Sequence, residues 1–301
     1  MKKNILLIVN PCSGKKRTRK NTQDVVRFLS EDGNSVTVKE TTCKGHATQL
    51  AEENGGDYNM IACCGGDGTF NEVINGALRL EKKIPLAYIP NGTTNDTAAT
   101  LSLPKTLPAL ADIIKSETYK KCDIGTFNNR YFFCAVSFGL GAEASFSTKQ
   151  SLKNKIGHVA YILSNIKNIP DVHPVKMDIE CDDEKISGEF IFGAVINTRS
   201  VGGMFKLDEN VFKINDGKFE IVLVRKLDSI IEIPRALGKL QKKEYDNEKI
   251  ILIQASKVKF SSPDEVVWLI DGENGGKLKE VAVHNIKEGI ELCAPDSKIY
   301  I

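Results

Sequence analysis

Gly65-Gly66-Asp67-Gly68-Thr69 decides the fold, because it separates two segments with different hydrophobic periods. The apolar run at 60–64 precedes it and is typical of a buried strand. Apolar residues then recur at spacings of three and four, as on one face of a helix, at Phe70, Val73, Ile74, Ala77 and Leu78. The sequence therefore predicts a strand, a glycine turn and a helix.

The composition of this turn indicates phosphate binding. Glycines let backbone N–H groups approach an anion without an obstructing Cβ, and the start of the helix adds partial positive charge. The carboxylate of Asp67 would repel phosphates unless a divalent cation lay between them. The turn therefore favours a Mg-nucleotide site, and a plain tight turn with an exposed Asp67 is the alternative.

Polar residues also follow the other apolar strands of the first 100 residues. Asn10 ends the run at 5–9, Thr41 ends an alternating stretch at 35–41, and Asp96 lies in the loop after 86–89. Strands alternate with helices throughout this region, which predicts an α/β domain with a parallel sheet covered on both faces. Ligands of such sheets bind beyond the carboxyl ends of the strands. We expect these polar loops to form one site.

The pattern changes at Cys122, after which short strands dominate. A hairpin is expected around 127–130, and further strands follow as far as 266–270. This spacing predicts an all-β domain at 122–288, built as an antiparallel β-sandwich. Because no low-complexity linker separates it from the α/β domain at 1–121, the sequence predicts an active site in a cleft between the two domains.

Composition excludes several classes of protein. Among 301 residues the net charge is +2, which gives no general attraction to nucleic acid. The eight cysteines are scattered without a CxxC pair, as expected for thiols in a reducing cytosol. No apolar run approaches the roughly 20 residues that span a bilayer. We therefore expect a cytoplasmic protein with at most peripheral contact with the inner face of the membrane.

Three segments together resemble the diacylglycerol kinase catalytic domain family, in particular its soluble bacterial lipid kinases. They are residues 65–69 with Asn71 and Glu72, and the runs Gly92-Thr93-Thr94-Asn95-Asp96 and Asn10-Pro11-Cys12-Ser13-Gly14-Lys15. The resemblance implies that ATP is bound by Asn10, Pro11, Ser13, Gly14, Lys15, Thr41, Gly65, Gly66, Asp67, Gly68, Thr69, Asn71, Glu72, Thr93 and Asn95. It also implies that residues from about 289 to 301 return to complete the first domain.

The resemblance further implies two Mg2+ positions. One ion would bridge the ATP phosphates to Asp67 and Asp96. The other would be structural, held by Asp216 and the backbone carbonyls of Lys213 and Lys218. On sequence alone, Asp216-Gly217 before a strong strand is also typical of a hairpin turn.

Asp271 and Glu273 flank a glycine at the end of an apolar strand. In the resembling family the proton acceptor lies here, and both carboxylates match. The sequence leaves the choice open, with Asp271 slightly favoured and Glu273 near the metal or sharing the role. Repulsion between the two charges could raise the pKa of one of them.

The implied acceptor is a lipid alcohol such as diacylglycerol, which would give phosphatidic acid. Phosphatidylglycerol and sphingoid bases are used by related enzymes and stay open. A lipid acceptor implies contact with an anionic bilayer, to which a basic cluster could contribute; its members are Lys15, Lys16, Arg17, Arg19 and Lys20. A homodimer is a further option that the sequence does not decide.

Two rival functions remain at this stage. NAD kinase shares the glycine turn and the two-domain plan, although the segments at 92–96 and 271–273 fit lipid kinases better. A non-catalytic nucleotide-binding regulator is the other rival. It is disfavoured because Asp67, Asp96 and Asp271 are all present.

Overall fold

The structure is a computed structural model that describes residues 2–14, 21–140, 142, 173–201, 205–207, 212–227, 232, 239 and 248–296. The chain divides into two compact units. The first comprises Met1–Cys122 with Glu288–Ile299, and the second comprises Asp123–Lys287. Lys15 and the rest of the basic cluster at 15–20 lie outside the described residues.

The first unit alternates strands and helices. Its elements are β1 (Asn4–Val9), α1 (Thr22–Ser30), β2 (Ser35–Glu40), α2 (His46–Asn54), β3 (Met60–Gly65), α3 (Asp67–Ala77), β4 (Leu86–Pro90), α4 (Asp96–Thr100) and α5 (Leu107–Lys115). Short 3-10 turns follow α1 and α2 at Glu31–Gly33 and Gly55–Asp57. The helix α4 was not expected from the sequence, which placed only a loop there.

Strands β2, β1, β3 and β4 pair in that order, and every pair is parallel. Val9 is paired with both Glu40 and Cys64, and Cys64 is paired with Ile89, so these strands end at one edge. All residues of β3 are buried, as expected for a central strand covered on both faces. β2 lies at the end of this order and is partly exposed.

The second unit consists mainly of strands. Its elements are β5 (Tyr119–Phe127), β6 (Arg130–Phe132), β7 (Ala135–Gly139), β8 (Val175–Cys181), β9 (Glu184–Ile196), β10 (Ser200–Val201), β11 (Phe205–Lys206), β12 (Phe219–Arg225), β13 (Ile250–Ala255), β14 (Lys257–Ile270) and β15 (Glu273–Cys293). β5 begins, and β15 ends, in the first unit. In the first unit, Leu292 of β15 pairs in parallel with Leu86 of β4.

The strands within the second unit pair antiparallel. Two long strands, β9 and β14, each pair with different partner strands at their two ends. β9 pairs with β8 near its start and with β7 and β12 near its end. β14 likewise pairs first with β8 and then with β7, and with β15 along most of its length. The expected hairpin is present between β5 and β6, whereas the segment after 133 joins β9 and β14 instead.

Trp268 is the centre of the core of the second unit and is 1% exposed. Its ring lies 5.0 Å from the ring centroid of Phe138, 5.1 Å from that of Phe260 and 5.5 Å from that of Phe127. These aromatic contacts join β5, β7 and β14 through long-range packing. None of the described helices is long and apolar enough to cross a bilayer.

Candidate functional site

Three loops follow β1, β3 and β4, at 10–14, 65–69 and 91–96, and we call them the rim loops. Asn10 donates its backbone N–H to the Cys64 carbonyl (2.9 Å) and its side-chain amide to the Thr69 hydroxyl (2.8 Å). Asn91 donates its N–H to the Gly65 carbonyl (2.7 Å). The structure therefore brings the three predicted segments into one set of contacts.

The loop at 10–14 is also held from within. The Asn10 side-chain oxygen accepts the Cys12 N–H (2.9 Å), and the Ser13 hydroxyl donates to the Asn10 carbonyl (2.9 Å). Gly14 has φ +76°, and a Cβ there would lie 2.4 Å from the Asn91 carbonyl oxygen. Only glycine permits this contact between the first and third rim loops.

The start of α3 is available to an anion. Gly66 is the N-cap residue and has no side chain to accept a cap hydrogen bond. The first N–H groups of a helix have no partner within the helix, and α3 has 11 residues, so its dipole reaches this end. Backbone N–H groups from Asp67 to Thr69 therefore form the kind of site that binds phosphate.

Asp67 connects the second rim loop to α4. Its Oδ2 accepts the Asp96 N–H and its Oδ1 accepts the Thr97 N–H, both at 3.1 Å. Burial raises the pKa of the Asp67 carboxyl above its usual range, and the hydrogen bonds from Thr97 and the neighbouring backbone oppose that shift. Asp96 is itself buried. The structure thus joins the Asp67 carboxylate to the backbone of Asp96, and the binding of Mg2+ by the two carboxylates stays a prediction.

Asn95 shapes the third rim loop from inside. Its backbone is left-handed (φ 56°), its side-chain oxygen accepts the Tyr88 hydroxyl (3.0 Å) and the Gly92 N–H (2.9 Å), and its amide donates to the Gly92 carbonyl (3.0 Å). Thr93, by contrast, is exposed at the tip. Thr93 is therefore accessible to a ligand, and the Asn95 side chain stabilises the conformation of the loop.

Glu72 and Asn71 have contacts that the sequence did not reveal. The Glu72 carboxylate accepts the N–H groups of Gly45 (2.8 Å) and Ala47 (3.2 Å), and thereby caps the start of α2. The Asn71 oxygen accepts the Asn75 amide (3.2 Å) within α3. Both side chains have local structural partners, and their predicted contact with ATP stays a prediction.

His46 supports the segment after β2. Its Nδ1 accepts the Thr42 N–H (3.0 Å), so in this arrangement any ring proton lies on Nε2. Thr41 is buried and donates its N–H to the Val9 carbonyl (2.9 Å), which places it beside the end of β1. His46 was not predicted from the sequence, although a histidine one turn after polar strand-end residues could have suggested this contact.

In the second unit, residues 213–218 form a turn around Asp216. The Asp216 Oδ1 accepts the Lys218 N–H (2.9 Å), as in the hairpin interpretation. Asp123 is fully buried; its Oδ2 accepts the Gly217 N–H (2.7 Å), and its N–H donates to the Ile214 carbonyl (2.8 Å). Asp123 therefore holds residues 213–218, the predicted site of the structural Mg2+. This role of Asp123 was not predicted from the sequence.

Glu220 is a buried carboxyl close to this loop. Its Oε1 accepts the Gln254 amide (3.0 Å), and its Oε2 has no hydrogen-bond partner among the residues that the structure describes. Burial raises the pKa of Glu220 to about 8; the Gln254 bond opposes this shift, and the charges of Asp216 and Asp123 add to it. The sequence could have predicted this buried carboxyl, because Glu220 lies inside the apolar run of β12.

Asp271 and Gly272 form the tight turn between β14 and β15, with φ 48° and 76°. The Asp271 carboxylate accepts three backbone N–H groups, from Phe133 (3.0 Å), Cys134 (2.9 Å) and Ala135 (2.9 Å). Glu273 begins β15 and is half-buried. The two predicted catalytic carboxylates therefore lie in one turn, and the Asp271 carboxylate holds the backbone of residues 133–135.

Within the described ranges, no group of three or more His, Cys, Asp or Glu side chains could by itself hold a metal. A cation at either predicted position would therefore need backbone carbonyls, water or substrate oxygens among its ligands. This is the usual situation for Mg2+, which binds one or two carboxylates and keeps several waters.

Comparisons with known proteins cover nearly the whole chain. A family model described as diacylglycerol kinase catalytic domain matches residues 4–127, and one described as YegS C-terminal NAD kinase beta sandwich-like domain matches residues 134–289. A Bacillus subtilis (strain 168) protein named diacylglycerol kinase is 32% identical over 294 residues, which are 97% of this chain and 96% of that protein.

A second relative with the same name, from Staphylococcus haemolyticus (strain JCSC1435), is 33% identical over 297 residues, covering 98% of this chain and 89% of that protein. Two solved structures from Bacillus anthracis str. Sterne share the fold. One aligns with a TM-score of 0.85 at 24% identity, and another, described as a diacylglycerol kinase, aligns with a TM-score of 0.77 at 23% identity. Each alignment covers 99% of both chains.

Proposed function

Because the chain belongs to the diacylglycerol kinase catalytic domain family, we propose that it transfers the γ-phosphate of ATP to the hydroxyl of diacylglycerol, giving phosphatidic acid. The observation that carries this proposal is the near full-length similarity to relatives with that name, at 32% and 33% identity. The chain is a phosphotransferase with an alcohol acceptor, which would act in phospholipid metabolism. The identity of the lipid is the proposed part.

The rim loops bind the ATP phosphates in this proposal. The uncapped start of α3 and the absence of side chains at Gly66 and Gly92 support it, since both let backbone N–H groups reach an anion. Contacts to the nucleotide are assigned to the side chains or backbones of Asn10, Pro11, Ser13, Gly14, Lys15, Thr41, Gly65, Gly66, Asp67, Gly68, Thr69 and Thr93. Asn71, Glu72 and Asn95 would act by shaping this site.

Asp67 and Asp96 fit a Mg2+ ion. Each Asp67 oxygen accepts a backbone N–H group, which does not prevent it from binding a cation, because a carboxylate oxygen has two lone pairs. Both residues carry carboxylates, the ligands that a hard cation prefers. When bound, Mg2+ would neutralise charge that develops on the transferred phosphoryl group. Asp67 would in addition keep α4 in place, so that Asp96 stays close to the glycine turn.

Glu273 is assigned as the proton acceptor, in preference to Asp271. Both Asp271 oxygens accept backbone N–H groups, so this carboxylate is committed to the turn. Glu273 would take the proton of the lipid hydroxyl while the hydroxyl oxygen bonds to the γ-phosphorus of ATP. The bond between that phosphorus and the bridging oxygen would break, and ADP would leave. General-base help of this kind contributes about 10²–10⁴ in rate.

A structural Mg2+ at Asp216, with the carbonyls of Lys213 and Lys218, also fits. The donors are all oxygens, the ligands that a hard cation prefers, and Asp123 holds the loop through the Gly217 N–H. When bound, the ion would compensate the charge of the Asp216 carboxylate. The hydrogen bond from Lys218 to Asp216 supports a loop that is already folded around its carboxylate.

The setting of the reaction is a proposal as well. A lipid acceptor requires peripheral contact with an anionic bilayer, for which the cluster at 15–20 would supply positive charge. The predicted domain limits, 1–121 with 289–301 and 122–288, would separate nucleotide binding from acceptor binding. The cleft between them, the cytoplasmic inner face of the membrane and the homodimer stay predictions.

The test is a direct comparison of acceptors. Labelled phosphate from Mg-ATP is offered to diacylglycerol, phosphatidylglycerol and a sphingoid base in mixed micelles, and to NAD in a lipid-free buffer. We expect the label in phosphatidic acid. Label in NADP alone would support the rival function of an NAD kinase, whose name occurs in the second family model. ATP binding without any transfer would support a non-catalytic regulator.

A further inference from the structure

Asn197 is a buried amide that joins two separate backbone segments of the second unit. It follows β9 and is 2% exposed. Its side-chain nitrogen donates to the Phe133 carbonyl (2.9 Å) and to the Asp123 carbonyl (3.0 Å), and its backbone N–H donates to the Cys134 carbonyl (2.8 Å). One of the two side-chain amide hydrogens thereby holds the segment at 133–135, and the other holds the Asp123 carbonyl.

The same segment holds the turn that carries Glu273. The N–H groups of residues 133–135 all donate to the Asp271 carboxylate, and the Asp271 N–H donates back to the Ala135 carbonyl (2.8 Å). Asn197 donates hydrogen bonds to the Phe133 and Cys134 carbonyls, and the Asp271 carboxylate accepts the N–H groups of residues 133–135. A shift of this segment after loss of the Asn197 amide would therefore shift the turn as well.

This turn needs outside support. Asp271 has φ 48°, a left-handed conformation that is strained for a non-glycine residue. Such a conformation persists only where the surroundings impose it, and three short N–H bonds to one carboxylate are a strong constraint. If the segment at 133–135 moved, Asp271 would lose these bonds together.

We propose that Asn197 is a positioning residue for Glu273, acting through residues 133–135 and the Asp271 carboxylate. The proposal rests on the proposed function, in which Glu273 accepts the hydroxyl proton. Misplacement of a catalytic group by about 1 Å can cost about a hundredfold in rate. Removal of the Asn197 amide should therefore affect the chemical step and leave ATP binding, which is assigned to the other unit, unchanged.

The first test compares Asn197→Ala with Val195→Ala. Val195 is a fully buried core residue on the same strand, so its truncation also lowers stability but leaves the amide network intact. We expect Asn197→Ala to lower kcat about tenfold to a hundredfold with the KM for ATP within about twofold of wild type. Val195→Ala should keep kcat within about twofold. Equal kcat losses in the two variants, or a change confined to KM, would overturn the proposal.

The second test is a double-mutant cycle with Asp271→Asn. If both residues act through the segment at 133–135, the double variant should lose little more kcat than the worse single variant. Fully multiplicative losses would show that Asn197 acts on something else. Should Asn197→Ala fail to fold, Asn197→Leu keeps the branched shape of the side chain and removes both donors without adding a charge, with the same results expected.

A third readout does not depend on activity. Amide hydrogen exchange at 133–135 and 271–273 should accelerate in Asn197→Ala and stay at the wild-type rate in Val195→Ala. If the wild-type protein phosphorylates no acceptor, the proposed function fails, while this exchange pattern still tests the positioning network. Unchanged exchange at 271–273 in Asn197→Ala would refute that network in either case.

Discussion

Gly66 and Gly92 approach so closely that a Cβ on Gly92 would lie 2.6 Å from the Gly66 Cα. Real Cβ atoms essentially never come within 3.0 Å of another heavy atom, and here the neighbour is backbone that cannot rotate away. The two glycine motifs of the sequence are therefore one structural feature, in which the second and third rim loops touch. The phosphate site proposed here depends on that contact.

Gly92→Ala should therefore weaken nucleotide binding. The added methyl group would force the loop at 91–96 away from the glycine turn, and the Asn95 bonds to Gly92 would be disturbed. We expect the Kd for Mg-ATP to rise at least about tenfold, equivalent to about 1.4 kcal/mol, measured by calorimetry.

Gly56→Ala is the matched control, because a Cβ at Gly56 meets no atom of the described residues within 4 Å. Its ATP affinity should equal that of the wild type. If Gly92→Ala bound Mg-ATP as tightly as Gly56→Ala, the rim loops would not be the phosphate site.

Glu72→Ala should lower stability. It removes the acceptors for the Gly45 and Ala47 N–H groups at the start of α2. Loss of such a cap typically costs about 0.5–2 kcal/mol in the free energy of unfolding, which denaturant titration would measure. Glu72→Gln keeps one acceptor oxygen and should lose less. A Glu72→Ala protein of wild-type stability would show that the cap contributes nothing.

Asp216→Ala tests the structural ion. With Mg2+ present, the variant loses a ligand and its melting temperature should fall, because ligand binding stabilises the folded state by mass action. In chelator the difference between wild type and variant should be much smaller. Equal drops in both conditions would mean that Asp216 supports only the turn through its bond to Lys218.

Glu220 should make stability depend on pH. The unfolded carboxyl has a pKa near 4.5, and burial raises the folded pKa to about 8. Between these values the unfolded state binds fewer protons than the folded state, so the free energy of unfolding decreases as pH rises from about 4.5 to about 8.

Glu220→Gln should remove this pH dependence of the free energy of unfolding. The variant should be more stable than the wild type at pH 8, and the two proteins should have nearly the same stability at pH 4.5. Urea titrations across this range in chelator, with the two proteins compared at each pH, would measure the difference. A constant difference between them would show that Glu220 ionises equally in both states.

Periodicity predicted the elements that place the site. The buried run at 60–64 and the apolar spacing after Thr69 correspond to β3 and α3, because burial on both faces of a strand and on one face of a helix leaves a direct pattern in the sequence. The predicted parallel sheet placed the polar segments at one edge, because its strands end there, and the contacts of Asn10, Asn91 and Gly92 agree with that prediction.

The partners of the charged side chains could not be predicted in this way. Asp67 caps α4, Glu72 caps α2, and Asp271 binds N–H groups far away in the sequence. Such bonds depend on which loops the tertiary fold places side by side, and no local period encodes them. For the same reason Asp123, Asn197 and Glu220 were missed: each is polar and fully or almost fully buried, and only the folded structure shows what it contacts.

The most direct test of the central claim is the initial rate of labelled phosphate transfer from Mg-ATP to diacylglycerol in mixed micelles, for wild type and Glu273→Gln. Glutamine keeps the shape of the side chain but cannot accept the hydroxyl proton. We predict that the wild type forms labelled phosphatidic acid and that Glu273→Gln binds ATP normally but is at least about a hundredfold slower. A wild type that forms none, or a Glu273→Gln variant that matches it, would contradict the account.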